Sequence, residues 1–300
     1  VTPTKLSGSI VIDGSSTVFP LTEYIADKFS EIYPDVKVTV GISGTGGGFK
    51  RFTVGETDIN DSSRSITDKE IATAKENNVK WVEIPVALEG LTIVVNKNNN
   101  LLDCISISEL KEIWKPDSTI KRWSDIKSTY PNEEIRLYGA GPDSGTFDYF
   151  TERVVGKARE SRIDYIPSED DNVLVQGVAD DKYALGYIPM AYALANTDKL
   201  NILKVSDDGE CIYPTMESVI DGSYPLARPL FIHLNYDRLR NSELLQKFVE
   251  FYLNNAKEGA KNVGYIPLSD SYYKEALNVL NEGKYNENDK ITFNTISKKS

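Results

Sequence analysis

Three stretches rich in serine, threonine and glycine, each set between an apolar run and an amphipathic one, limit what this chain can fold into. They are Gly14-Ser15-Ser16-Thr17, Ser43-Gly44-Thr45-Gly46-Gly47-Gly48 and Asp143-Ser144-Gly145-Thr146. Residues 9–13, before the first, read as a strand. After it, Leu21, Tyr24, Ile25, Phe29 and Ile32 recur on one helical face. Residues 36–40 alternate with period two and are rich in valine, as a strand should be. The second turn then leads into a short helix from Phe49. A β-α-β-α order with tight strand-to-helix turns predicts a mainly parallel sheet covered by helices.

The pattern recurs further on. Residues 91–95 form an apolar strand, and Ser106 with Glu109 makes a capping box ahead of Leu110 and Ile113. A strand over 134–138 runs into the third turn and a helix over 146–155. Strands are expected at 184–188 and 229–232, and helices at 242–253 and near 271–280. The polar tail beyond Gly283 is expected to fray. The fold class is therefore α/β with two lobes, a mixed and mainly parallel sheet in each. Lobe 1 takes residues 1–93 and 229–300, and lobe 2 takes 94–228. A two-segment hinge falls near 91–95 and 228–234, and the ligand is expected in the cleft between the lobes.

Composition narrows the partners. A net charge of -11 argues against nucleic acid, which needs a basic footprint. It does not argue against a small anion, because a buried site works through local donors while distant charges are screened over about 8–10 Å. No run approaches the ~20 apolar residues of a membrane span. The first residues carry no charged-then-apolar leader, which fits a cytoplasmic protein or a mature chain with its leader trimmed. Two cysteines, Cys104 and Cys211, and one histidine leave no pattern for a metal. The cysteines read equally as a disulfide or as two buried thiols.

Each turn offers bare backbone amides and hydroxyls at a helix N-terminus, where an anion is favoured. Any one of them could be an ordinary cap. Three consecutive glycines cost conformational entropy, and close approach of backbone to a ligand is the usual reason to keep them. Neither a dinucleotide fingerprint nor a Walker A loop is present. Asp143 reads either as a helix cap or as an acceptor for the hydroxyl of a protonated oxyanion. Asp61-Ser62-Ser63-Arg64 adds hydroxyls and a guanidinium, whose fork suits a tetrahedral oxyanion. His233 lies in an apolar strand pattern and reads as a core residue rather than as part of a nucleophilic triad.

Taken together, these residues resemble the PstS family of phosphate-binding proteins of ABC transporters. The likeness covers nearly the whole chain. Its carriers are Asp13-Gly14-Ser15-Ser16-Thr17-Val18-Phe19-Pro20, the glycine turn through Phe49, Ser62-Ser63-Arg64 and Gly141-Pro142-Asp143-Ser144-Gly145-Thr146-Phe147-Asp148. The run from Ser168 to Gly177, Ala184-Leu185-Gly186-Tyr187 and Gly264-Tyr265-Ile266-Pro267-Leu268 add to it. The resemblance implies a Venus-flytrap fold and a dehydrated phosphate held only by protein hydrogen bonds. It maps the ligand set to Ser16, Thr17, the Val18 amide, Thr45, Ser43, Ser144, Gly145 and Thr146.

Two positions depart from the family. An arginine common before the third turn is replaced by Ala140-Gly141-Pro142, and a common aspartate acceptor is replaced at Ser63. Arg64 and Arg162 are expected as the cationic partners, with Asp61 or Asp143 as acceptor. The resemblance further implies an extracytoplasmic, non-enzymatic, monomeric receptor without cofactor, delivering phosphate to the permease subunits of an ABC transporter. A membrane link would come only through a lipid anchor upstream of Val1. The alternatives are a receptor for sulfate or molybdate and a phosphohydrolase on a similar fold.

Overall fold

The structure, a computed structural model, describes residues 5–291. It separates into two compact units, residues 1–88 with 229–300, and residues 89–228. The chain passes between the units inside two long strands, Trp81–Asn96 and Ala227–Asn235. Trp81–Asn96 is buried along its whole length, so its apolar residues have no exposed face to alternate toward, and Glu83 and Glu89 are buried among them.

In the first unit the sheet order is Val36–Val40, Gly8–Gly14, Ile59–Ser62, Ala227–Asn235, then the first part of Trp81–Asn96. Gly8–Gly14 is parallel to both neighbours, and Ala227–Asn235 runs antiparallel to Ile59–Ser62. The helix Phe19–Ile32 buries Leu21, Ile25 and Phe29, four residues apart. Phe29 meets Phe248 of the helix Glu243–Asn262 edge-on, with ring centres 5.2 Å apart. Burying a side chain of this size contributes about 1.5–3 kcal/mol. The tail does not fray directly after Gly283. Asp289–Lys290 adds a short parallel strand beside Val82 and Glu83, and Ile291 donates its amide to the Glu83 carbonyl at 2.9 Å. The rest of that expectation lies outside the described residues.

In the second unit the sheet order is Trp81–Asn96, Ala184–Pro189, Arg136–Ala140, Ile166–Ser168. The last three are mutually parallel, and the first is antiparallel to its neighbour. The expected helix over 146–155 is an α-helix, Gly145–Phe150, that widens into a π-turn over Thr151–Val155. An aromatic cluster supports it: Phe150 stacks on Tyr187 at 3.7 Å, and Trp114 meets both rings edge-on. A disulfide joins Cys104 to Cys211 with Cα atoms 6.1 Å apart. It ties the small parallel pair Cys104–Ser106 and Lys204–Ser206 to the segment after it.

Candidate functional site

In the first unit, two parallel strands end side by side, Gly14 opposite Asp61. Loops beyond the carboxyl ends of parallel strands are where α/β sheets bind ligands. The Ser15 amide donates to the Asp61 carbonyl at 3.0 Å, and the Gly44 amide to the Gly14 carbonyl at 2.8 Å. These bonds bring the first turn, the glycine turn and the 61–64 segment together. The Ser15 hydroxyl accepts the Thr17 and Val18 amides at 3.1 and 3.4 Å, shaping the entry to helix Phe19–Ile32, whose N-cap has no side-chain bond. Ser15 is thus the turn-forming serine beside the expected Ser16. Ser16 is half-buried, and the Thr17 carbonyl accepts the Tyr265 hydroxyl.

The glycine turn is not a loop ahead of a helix at Phe49. The helix begins at Thr45, so Gly46, Gly47 and Gly48 form its first turn. Each glycine costs about 1 kcal/mol there relative to alanine. One reason for glycine is internal packing rather than a ligand. A Cβ on Gly48 would lie 2.0 Å from Asn60 Oδ1 and 2.5 Å from the Gly14 Cα. Gly46 is more open, its nearest neighbour being the Arg64 Nη2 at 3.8 Å.

Thr45 and Ser63 meet directly. Their hydroxyls are 2.9 Å apart, and the Ser63 amide donates to Thr45 Oγ1 at 3.1 Å. Arg64 is held by a two-pronged pair with Glu70 at 2.7 and 3.0 Å and lies 5.3 Å over the Phe49 ring. Burial favours the neutral form of Glu70, but Arg64 and the Thr67 bonds outweigh it and lower its pKa. Ser43 instead faces its own support. Its amide and hydroxyl donate to Asp13, whose other oxygen takes Arg51 at 2.6 Å. Burial would raise Asp13, yet Ser43 and Arg51 pull it below the usual range.

Asp61 is fully buried beneath the first turns of helix Phe19–Ile32. Its Oδ1 accepts the Thr22 hydroxyl at 2.9 Å, and its Oδ2 has no hydrogen-bond partner among the described residues. Burial pushes its pKa up to about 8, against the Thr22 bond and with help from the Asp13 charge.

In the second unit, the strand Arg136–Ala140 ends at a turn where Ser144 is the N-cap, its hydroxyl accepting the Thr146 amide at 3.0 Å. Asp143 is therefore not the cap. It is exposed, and its amide donates to Glu169 Oε1 at 3.2 Å. Glu169, part of the Ser168–Gly177 run but not among the expected site residues, also packs where a side chain at Gly141 would be, 2.0 Å from such a Cβ. Gly145 is half-buried and Thr146 buried at the helix start.

The expectation for Arg162 is corrected. It is 5% exposed and its donors are committed to the framework. Nε and Nη2 grip the two Asp164 oxygens at 2.8 and 2.9 Å, and Nη1 donates to the Ile113 and Ile120 carbonyls at 2.8 and 2.7 Å. Arg162 clamps the end of helix Ile107–Trp114, and with it the ring of Trp114. His233 is a core residue as expected, 0% exposed, with Nε2 at 2.7 Å from Glu83 Oε2.

Residues 1–256 match the PBP superfamily domain. The chain is 44% identical over 286 residues to the Protein SphX of Synechocystis sp., covering 94% of this chain and 85% of that protein. It is 37% identical over 279 residues to the phosphate-binding protein PstS of Staphylococcus saprophyticus, covering 93% and 86%. A crystal structure of a possible phosphate binding protein from Planctomyces limnophilus superposes with a TM-score of 0.89 at 43% identity, covering 94% of this chain and all of that one. Two strand ends carrying convergent hydroxyls and helix amides, on a chain matched over most of its length, place it by sequence and by fold alike: it belongs to the PBP superfamily and, within that, to the PstS-type phosphate-binding proteins.

Proposed function

We propose that this protein captures inorganic phosphate outside the cytoplasm and delivers it to the permease of an ABC transporter, without covalent chemistry. The observation that supports this most is the meeting of Thr45, Ser63 and the starts of helices Phe19–Ile32 and Thr45–Phe52 at two parallel strand ends, beside a cation held in place by Glu70. The proposed donors are Ser16, Thr17, the Val18 amide, Thr45, Ser63 and Arg64 of the first unit. Ser144, Gly145 and Thr146, at the helix start of the second unit, are proposed as phosphate donors as well.

A net hydrogen bond to a charged group contributes about 1.5–3 kcal/mol. Five to eight of them, less desolvation and closure costs, reach the roughly 8 kcal/mol of micromolar affinity. The only histidine is fully buried with its Nε2 on Glu83, which disfavours its use as the general base of a hydrolase. The disulfide suits an oxidising compartment. Among the described residues no helix is long and apolar enough to cross a membrane. One observation favours a second reading. A protonated Asp61 could donate to sulfate, whereas an ionised one would present it an unmatched acceptor.

The test is calorimetry on protein stripped of bound anion by unfolding and refolding. Phosphate should bind with one site and a Kd of about 1 μM or tighter, undisturbed by equimolar sulfate. Heat from sulfate and none from phosphate would transfer the assignment to the second reading.

A further inference from the structure

The only histidine sits beside the anion site rather than in it, and its partner explains why. Glu83 is 2% exposed and takes three donors. Its Oε1 accepts the Ser65 hydroxyl at 2.7 Å, and its Oε2 lies 3.1 Å from the Ile66 amide and 2.7 Å from His233 Nε2. Burial lowers the His233 pKa despite the pull of Glu83, so the neutral ring donates through Nε2. Ser65 and Ile66 directly follow Ser63 and Arg64, and the Ser65 carbonyl accepts Arg64 Nη1 at 3.2 Å. On the other side, the Phe49 ring packs edge-on against His233 at 4.8 Å and carries the Arg64 guanidinium on its face. The pair therefore reaches Arg64 by two routes, the 63–66 backbone and the Phe49 ring. A buried pair of this kind adds little net stability over well-packed apolar residues. Its return lies in the geometry that it imposes.

We propose that Glu83 and His233 are positioning residues for phosphate binding, holding the Arg64 guanidinium through the Ser65 carbonyl that accepts from it and the Phe49 ring on which it rests. This rests on the phosphate reading above. A pair acting through Arg64 must lose its effect once Arg64 is gone, whereas a merely structural role would act equally with or without it.

The experiment is a double-mutant cycle read by calorimetry with inorganic phosphate, using Ser65→Ala and His233→Leu alone and each combined with Arg64→Ala. Expected is a Kd weakened fivefold or more by Ser65→Ala and by His233→Leu in the parent, and less than twofold in the Arg64→Ala background. Equal losses in both backgrounds, or Kd values within twofold of the parent, would overturn the proposal while leaving phosphate binding intact. If His233→Leu does not fold, Ser65→Ala decides the matter, because the Ile66 amide still holds the turn to Glu83. Absence of phosphate binding in the parent would instead remove the functional reading, and this inference with it.

Discussion

Asp61 shows how one side chain can couple fold and ligand. Its folded pKa of about 8 lies above the ~3.9 of an unfolded aspartate. The native state therefore holds an extra proton between those values, and stability falls as pH rises from about 4 to about 8. Asp61→Asn should remove that slope. Thermal melts should show the variant more stable than the parent at pH 8.5 and nearly equal at pH 5, and parallel curves would show that Asp61 titrates normally. The two arginines make a second contrast. Arg64→Ala should weaken phosphate by about 10–100-fold, the loss of one charged hydrogen bond, with a small change in melting temperature. Arg162→Ala should leave the Ile113 and Ile120 carbonyls and Asp164 without their donors, costing about 2–4 kcal/mol of stability. If Arg162→Ala abolished phosphate binding in a protein as stable as its parent, its framework role would be wrong.

At the scale of elements, the strand–turn–helix units were legible because their signals are local. Period-two valines, Pro20 in the first helical turn and the Ser106–Glu109 capping box each act within a few residues. What stayed hidden depends on residues distant in the chain. Nothing near Gly48 announces that Asn60 fills the space beside it, so its absent side chain read as room for a ligand. Only the fold sets Glu83 and Glu70 against Ser65 and Arg64, as it sets Glu169 against the Asp143 amide. Ser15 and Ser16 are neighbours of one type, and only turn geometry decides which hydroxyl takes the amides. The prediction at this scale is Gly48→Ala. Alanine favours the helix by about 1 kcal/mol, but its Cβ meets backbone at Gly14, so denaturation should show a net loss of about 2–4 kcal/mol. A stabilised variant would mean that the helix start can shift away from the strand end.

Across the whole molecule, the disulfide should contribute to stability and not to binding. The Cys104–Cys211 bridge closes a long loop wholly within residues 89–228. Replacing both cysteines by serine should cost about 2–4 kcal/mol in chemical denaturation and leave the phosphate Kd within about threefold. A tenfold loss of affinity would tie the bridge to the site. The central claim is that the proposed turn residues bind phosphate. The measurement that tests it most directly is an amide NMR titration of the stripped protein with inorganic phosphate. The account predicts that Thr17, Val18, Thr45, Gly46 and Ser63, together with Ser144, Gly145 and Thr146, shift along a single curve saturating at one equivalent. Shifts confined to one unit, or lying elsewhere altogether, would contradict it.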